Sequence, residues 1–149
     1  MVVDASVWVS ALVPQDVHHE ESRSWLEARM REGTLLIAPV IVLAEVAGAI
    51  ARRSGDSSLG ERAMETLFNL PNLRLVPIDD RVGYEAARVA ARLRLRGADA
   101  LYAAVAVLLH VPLVTWDAEQ RETTRPLVET SEPRDGSRTG GHVEDGYRP

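Results

Sequence analysis

Short apolar runs alternate along the chain with longer stretches of helical periodicity. The apolar runs predict buried strands at residues 1–3, 34–38, 73–78 and 111–115, with a weaker fifth strand at 126–130. The stretches between them predict helices at residues 7–12, 18–32, 39–53, 59–70, 81–96 and 98–109. Strands that alternate with helices are typical of a parallel sheet covered on both faces, so we predict an α/β fold with the N-terminal strand at its centre.

Two of the predicted helices are strongly apolar, and each carries one acidic residue. Residues 98–109 are apolar on every face apart from Asp99, so we expect this helix to be packed on all sides. Asp99 lies in its first turn, where free amide groups and the helix dipole favour an ionised carboxylate that faces a cavity. Glu45 is the only acid of helix 39–53 and is expected in mid-helix, where its burial is costly unless something pairs with it.

Two further acids directly follow predicted strands. Asp4 comes after the first strand, and Asp117 comes after the strand at 111–115. Because ligand sites of parallel sheets form beyond the carboxyl ends of the strands, these two acids and the two helical acids are expected at one end of the sheet. Ser6 and Thr115 stand two residues from Asp4 and Asp117, and we expect them to orient ligands or water there.

Four converging carboxylates require a proton or a cation. At a separation of ~6 Å and an effective dielectric of ~20, each pair repels by roughly 3 kcal/mol. The chain has no lysine, and these segments contain no histidine, so a hard divalent ion with oxygen ligands is the natural partner. Mg²⁺ or Mn²⁺ bound there would activate water and stabilise a phosphoryl group in transfer, which indicates metal-assisted phosphodiester hydrolysis.

Composition narrows the class of protein. The 149 residues suit one domain, and the absence of cysteine excludes disulfides and thiolate zinc sites. No apolar run approaches the ~20 residues of a membrane span, and no signal-like segment opens the chain, so we expect a cytoplasmic protein without a membrane partner. The net charge of -5 argues mildly against a protein that coats nucleic acid by charge alone.

Three other groups of residues have open interpretations. Arg88, Arg92 and Arg96 recur on one helical face, which indicates either a solvated face or a track for an RNA backbone. His18 and His19 are expected to be solvated. Asp79 is expected, with Asp80, at a helix N-cap.

The acidic segments carry a resemblance to a known family. VVDASVWVSAL at the N-terminus, the isolated Glu45, GADALYAAVA around Asp99 and LVTWD ending at Asp117 resemble the PIN-domain ribonucleases, in particular the VapC-type toxins of toxin-antitoxin modules. The resemblance covers residues 1–130 and implies a PIN-like three-layer α/β/α sandwich around a parallel sheet of four to five strands. Residues 131–149 are expected to form a flexible polar tail.

The resemblance also implies an activity and its residues. The activity would be that of an endoribonuclease dependent on Mg²⁺ or Mn²⁺, with RNA as substrate, a cognate antitoxin in a groove as partner, and a homodimer as the usual assembly. Asp4 and Asp99 match the acids that hold the metal most directly, Glu45 matches one that helps to hold it or activates water, and Asp117 matches a more variable fourth. Ser6 matches the small hydroxyl residue that follows the first acid.

The sequence is also compatible with other functions. The acids could instead end a strand, cap helices or pair with arginine. A catalytically silent interaction module of the same fold would bind a partner protein or RNA, although the presence of all four acids disfavours it. A phosphoacceptor or phosphatase of similar topology is disfavoured because the chain lacks a late lysine and has Ser6 where a second aspartate would be needed.

Overall fold

The alternation of strands and helices is confirmed. The structure, a computed structural model, describes residues 1–134, and this part of the chain contains five strands and seven helices. In chain order these elements are β1 Val2–Val3, α1 Ala5–Leu12, α2 His19–Arg31, β2 Leu36–Pro39, α3 Val42–Ser54, α4 Ser57–Phe68, β3 Leu73–Val76, α5 Asp80–Leu93, α6 Gly97–Leu109, β4 Leu113–Val114, α7 Ala118–Thr124 and β5 Thr130–Ser131. None of these helices is long and apolar enough to cross a membrane.

All five strands are parallel, and β1 lies at the centre as the sequence predicts. The strand order is β3-β2-β1-β4-β5. Val2 of β1 is in register with Ile37 on one side and with Leu113 on the other. Parallel pairing brings the carboxyl ends of β1, β2 and β4 to one edge of the sheet, and the helices that follow all begin at that edge.

Helix α6 packs against the sheet with its most apolar face. Tyr102, Ala103 and Ala104 are completely buried, and α6 contacts β1, β2, β4 and helix α5. The expectation of packing on all sides is wrong at both ends of the helix, because Ala98 and Asp99 are only half-buried and Leu109 is 38% exposed. The fully buried part of α6 is therefore its middle, Ala100 and residues 102–106, and Asp99 lies half-buried directly before it.

The start of α3 differs from its predicted place. Pro39 does not open a helix but ends β2, opposite Val76 of β3, and α3 begins only at Val42. Proline cannot donate to a sheet ladder and disfavours helical geometry in the preceding residue, which suits the end of a strand. Glu45 consequently lies in the first turn of α3 and not in mid-helix.

Two other local predictions about helices have different outcomes. Asp79 is the N-cap of α5 as predicted, and its carboxylate accepts a hydrogen bond from the backbone N–H of Val82 (2.9 Å). For α4, the spacing of Ser58 and Glu61 predicts a capping box, and this prediction is wrong because Asp56 takes the N-cap position and accepts from the Ser58 N–H.

The C-terminal part of the sheet lies slightly later than predicted. Strand β5 is Thr130–Ser131, at the end of the predicted segment 126–130, and pairs with β4. Helix α7 precedes it and was not predicted. Of the expected flexible tail 131–149, residues 135–149 lie outside the described part of the chain.

Candidate active site

All four candidate acids lie at the N-terminal ends of helices, at the carboxyl edge of the sheet. Asp4 is the N-cap of α1 and Asp117 is the N-cap of α7. Glu45 and Asp99 occupy the first turns of α3 and α6. The free amide groups and positive dipole ends of four helices face this edge, and they offset part of the repulsion among the carboxylates.

Asp4 is the most deeply buried of these acids. Its side chain is 6% exposed, and Oδ2 accepts hydrogen bonds from the backbone N–H of Ser6 (2.9 Å) and from Oγ1 of Thr115 (3.3 Å). Burial raises the pKa of Asp4 above its ordinary value, while hydrogen bonds from Ser6, Thr115 and Gln120 act in the opposite direction. Asp4 is thus surrounded by neutral donors.

Glu45 is held by a buried tyrosine. The hydroxyl of Tyr102 on α6 donates to Oε2 of Glu45 at 2.5 Å, and the pKa of this phenol lies far above its ordinary value, chiefly because of burial. Burial is also the main cause that raises the pKa of Glu45, and the negative charges of Asp4 and Asp99 add to it. Glu45 therefore belongs to the same electrostatic cluster as Asp4 and Asp99.

Asp99 connects this cluster to Asp117. Burial is the main cause that raises the pKa of Asp99. The negative charges of Asp4 and Asp117 raise this pKa further, whereas the positive charge of Arg96 lowers it. Asp117 is exposed, and its Oδ1 accepts from the backbone N–H of Gln120 (2.9 Å). The structure thus brings three acids into mutual interaction, and the fourth acts on them through Asp99.

The hydroxyl groups of Ser6 and Thr115 lie where the sequence predicts, between the two strand ends. Thr115 donates to Asp4 and accepts from the backbone N–H of Asp117 (3.0 Å). The hydroxyl of Ser6 is 3.4 Å from that of Thr115 and accepts from the backbone N–H of Trp116 (3.1 Å). These bonds fix the end of β4 against the start of α1.

The donor set suits a hard divalent cation, although no site is preassembled. In residues 1–134, no three Asp, Glu or His side chains come together closely enough to hold a metal, and no basic side chain forms an ion pair with any of the four acids. The carboxylates of Asp4, Glu45 and Asp117 each accept a hydrogen bond from a neighbouring donor instead. An N-cap hydrogen bond occupies only one of the two oxygens of a carboxylate. Carboxylate oxygens are the ligands that hard cations prefer, so the acids fit Mg²⁺ or Mn²⁺.

Two residues near the acids were not predicted. Tyr102 is the only polar side chain in residues 100–109, and it stands three positions after Asp99, on nearly the same face; this signal was available in the sequence. Gln120 on α7 is 1% exposed, interacts with the Asp4 carboxylate, and donates to the backbone carbonyl of Asp99 (3.4 Å). Nothing in the polar sequence of α7 indicates this burial.

The arginines of the predicted RNA track have different positions. All three are exposed, but Arg88 pairs with Glu85 of its own helix (3.0 Å). Arg96 precedes α6 as its N-cap residue and acts on Asp99. Among the three arginines of the predicted RNA track, Arg96 is therefore the one for which the structure shows an electrostatic interaction with a candidate acid.

The histidines are not simply solvated. His18 stacks on Trp116, with ring centroids 3.8 Å apart and planes 9° from parallel. The side chain of His19 is 12% exposed, and its Nδ1 lies 3.0 Å from the carbonyl oxygen of Ser10. The sequence could not show these contacts because both depend on tertiary packing.

Known structures share this fold. VapC20 of Mycobacterium tuberculosis, described as a toxin that cleaves the sarcin-ricin loop, is 17% identical with a TM-score of 0.72, and the match covers 86% of this chain and 96% of VapC20. FitAcB of Neisseria gonorrhoeae is 23% identical with a TM-score of 0.66, over 89% of this chain and 96% of that one. VapBC2 of Rickettsia felis, bound to promoter DNA, is 16% identical with a TM-score of 0.66, over 88% and 96%.

Sequence comparisons identify the family. No curated protein matches this chain. The PIN domain model matches residues 1–126, which include all four acids and most of the described structure. The chain therefore belongs to the PIN domain family.

Proposed function

We propose that this protein is a metal-dependent endoribonuclease that hydrolyses RNA phosphodiester bonds. The observation that carries the proposal is the interaction among Asp4, Glu45 and Asp99, which lie at helix N-termini and form no ion pair with a basic side chain in residues 1–134. Such a cluster attracts a cation, and PIN proteins are usually nucleases. A catalytically silent module would have no reason to keep three interacting carboxylates partly buried.

The residues have separate roles in this proposal. Asp4, Glu45 and Asp99 would hold Mg²⁺ or Mn²⁺, with Asp117 as a fourth, more exposed member. The ion supplies Lewis-acid stabilisation of the phosphoryl group and activation of water. Ser6 and Thr115 orient the Asp4 carboxylate, and Tyr102 orients Glu45.

The choice of RNA and of a toxin role is supported by the structural neighbours. VapC20 is described as a toxin that cleaves the sarcin-ricin loop, and a similar structure from Klebsiella pneumoniae is described as a toxin-antitoxin complex. We propose the same role here, as the toxin of a VapBC-type pair that acts on RNA in the cytoplasm. Residues 1–130 would form the nuclease domain.

An apolar groove offers a place for the antitoxin. Helices α1, α2, α3 and α4 enclose two adjoining cavities of about 550 and 390 Å³, which share Leu12, Pro14 and Thr66. The helical spacing of Leu59, Ala63, Leu67 and Leu70 predicts an apolar face of α4 that packs in the core. Leu12 and Leu59 are each 39% exposed at the groove, so this face is only partly core. We propose that an apolar segment of the antitoxin covers this groove and that the nuclease forms a homodimer.

Cleavage of RNA by the purified protein tests the function. We expect cutting with Mg²⁺ or Mn²⁺ and none with EDTA. Asp4→Asn and Asp99→Asn should each reduce the rate by more than about a hundredfold, because each removes a charged oxygen ligand. A panel of structured RNAs with mapped cleavage positions serves as substrate.

Asp80→Asn is the matched control, since Asp80 lies exposed in the first turn of α5 and is not one of the four candidate acids. It should cleave like the wild type. Cleavage that persists in EDTA or in both site variants would contradict the mechanism. The absence of cleavage by folded, antitoxin-free protein would favour the silent interaction module.

A further inference from the structure

An open cavity beside the acids contains two arginines. It has a volume of about 500 Å³ and is lined by Ser6 and Glu45, by Arg52 and Arg53, and by aliphatic side chains of α1, of α3 and of the residue before α3. This volume is within the range of pockets that hold a small ligand. The cavity thus combines part of the candidate active site with positive charge and an apolar wall.

Arg52 is aligned with Glu45 along α3. Seven residues are close to two helical turns, so the two side chains leave nearly the same face, with Cα atoms about 10 Å apart. The Arg52 side chain is folded back along the helix, because a Cβ at position 48 would lie only 2.9 Å from its Nη1. The guanidinium therefore lies over Gly48, displaced from the Arg52 backbone toward the helical turn that carries Glu45.

The two arginines of the cavity differ in their partners. Nη1 of Arg53 donates to Oδ2 of Asp16 at 2.7 Å. No acidic side chain within residues 1–134 forms an ion pair with Arg52, and Arg52 is exposed. Arg52 is therefore a cation beside the acids whose charge remains available to a ligand.

We propose that this cavity is the subsite for the nucleotide next to the scissile phosphate of single-stranded RNA, and that Arg52 binds the phosphate of that nucleotide. The inference rests on the proposed nuclease function and extends it to a substrate contact. The planar guanidinium can donate two parallel hydrogen bonds to phosphate oxygens. The aliphatic wall suits the sugar or base, and Gly48 leaves the space in which the guanidinium lies.

RNA binding without cleavage tests this subsite. Binding of a labelled twelve-nucleotide single-stranded RNA of mixed sequence is measured in EDTA between about 50 and 200 mM salt. We expect Arg52→Gln to weaken binding about tenfold and to reduce the slope of log K against log salt by about 0.7, the value for one lost phosphate contact on a single strand. In cleavage assays with metal, the same variant should raise KM and leave kcat unchanged.

Two other variants sharpen the test. Gly48→Ala should weaken RNA binding because its Cβ displaces the guanidinium, although alanine favours the helix and should not lower thermal stability. Arg31→Gln is the charge-matched control: Arg31 ends α2, which precedes β2 and so lies at the amino edge of the sheet. It should bind RNA like the wild type.

The outcomes separate the subsite from the proposed function. Unchanged affinity and salt slope in Arg52→Gln, with metal-dependent cleavage intact in the wild type, would overturn the subsite alone. An equal loss in Arg31→Gln would also overturn it, because the effect would then come from net charge. A wild-type protein that neither binds nor cleaves RNA would overturn both proposals.

Discussion

At the scale of single residues, the hydroxyl of Tyr102 determines how Glu45 is held. It is the only hydrogen-bond donor to the Glu45 carboxylate in residues 1–134. We expect Tyr102→Phe to weaken Mn²⁺ binding and to lower the rate of RNA cleavage about tenfold, since loss of a residue that orients a metal ligand has effects of this size. Titration of Mn²⁺ with the purified variant, followed by kinetics, measures both.

Tyr84→Phe is the matched control for this change, because Tyr84 is 71% exposed on α5. It should leave metal binding and rate at wild-type values. The orienting role of Tyr102 would be contradicted if Tyr102→Phe bound Mn²⁺ and cleaved RNA as well as Tyr84→Phe does.

At the scale of elements, the sequence shows which strands and helices carry the acids. Two acids, Asp4 and Asp117, follow strand ends, and two apolar helices each carry a single acid. These patterns predict that the acids lie at the carboxyl edge of the sheet, where the structure places them. The sequence does not show that Pro39 ends a strand, and so Glu45 was placed too far from the helix N-terminus. The alternation of strands and helices and the ends of the strands can be recognised from local patterns in the sequence. A proline at a boundary is different, because it is compatible both with the end of a strand and with the first turn of a helix.

Helix α7 could not be predicted because it lacks an apolar face. Its sequence is AEQRETT, and its buried members are Gln120 and Thr124. Both are polar, so hydrophobic periodicity is absent. The helix is positioned by the Asp117 cap and by contacts of Gln120 with the acids, which appear only when the chain is folded.

Contacts between elements also hold Trp116, which lies between the site residues Thr115 and Asp117. Its indole N–H donates to the hydroxyl of Ser22 on α2 (2.7 Å), and this hydroxyl lies 2.6 Å from that of Ser10 on α1. We expect Ser22→Ala to lower the free energy of unfolding by about 1 to 2 kcal/mol, because a buried hydroxyl network loses its central member. Urea denaturation of the metal-free protein measures this change.

Ser24→Ala on the same helix is the comparison, because Ser24 is exposed. Its free energy of unfolding should stay within about 0.5 kcal/mol of the wild type. If the two alanine variants were equally stable, the connection from α2 to Trp116 would contribute nothing to the fold.

At the scale of the whole molecule, the cluster of acids makes stability depend on pH and on metal. Burial is the first cause that raises the pKa values of Asp4, Glu45 and Asp99 above their ordinary values in the folded state. The folded protein then binds protons more tightly than the unfolded chain. Without metal, these groups make stability fall as pH rises from about 4 through the raised pKa values. Asp4→Asn keeps a capping side chain and removes one charge, so its advantage over the wild type should grow toward neutral pH.

A divalent cation should reverse this trend, because it binds the ionised cluster that only the folded chain assembles. At a Mn²⁺ concentration of a hundred times Kd, the free energy of unfolding should rise by about 2.7 kcal/mol near pH 7. The gain should shrink toward about pH 5, where protons compete for the same oxygens. Thermal or urea unfolding of the wild type and of Asp99→Asn, with Mn²⁺ or EDTA, measures these effects. An equal gain in Asp99→Asn, or a gain that did not change with pH, would mean that the cation binds elsewhere on the protein and that the carboxylates at the sheet edge do not form its site.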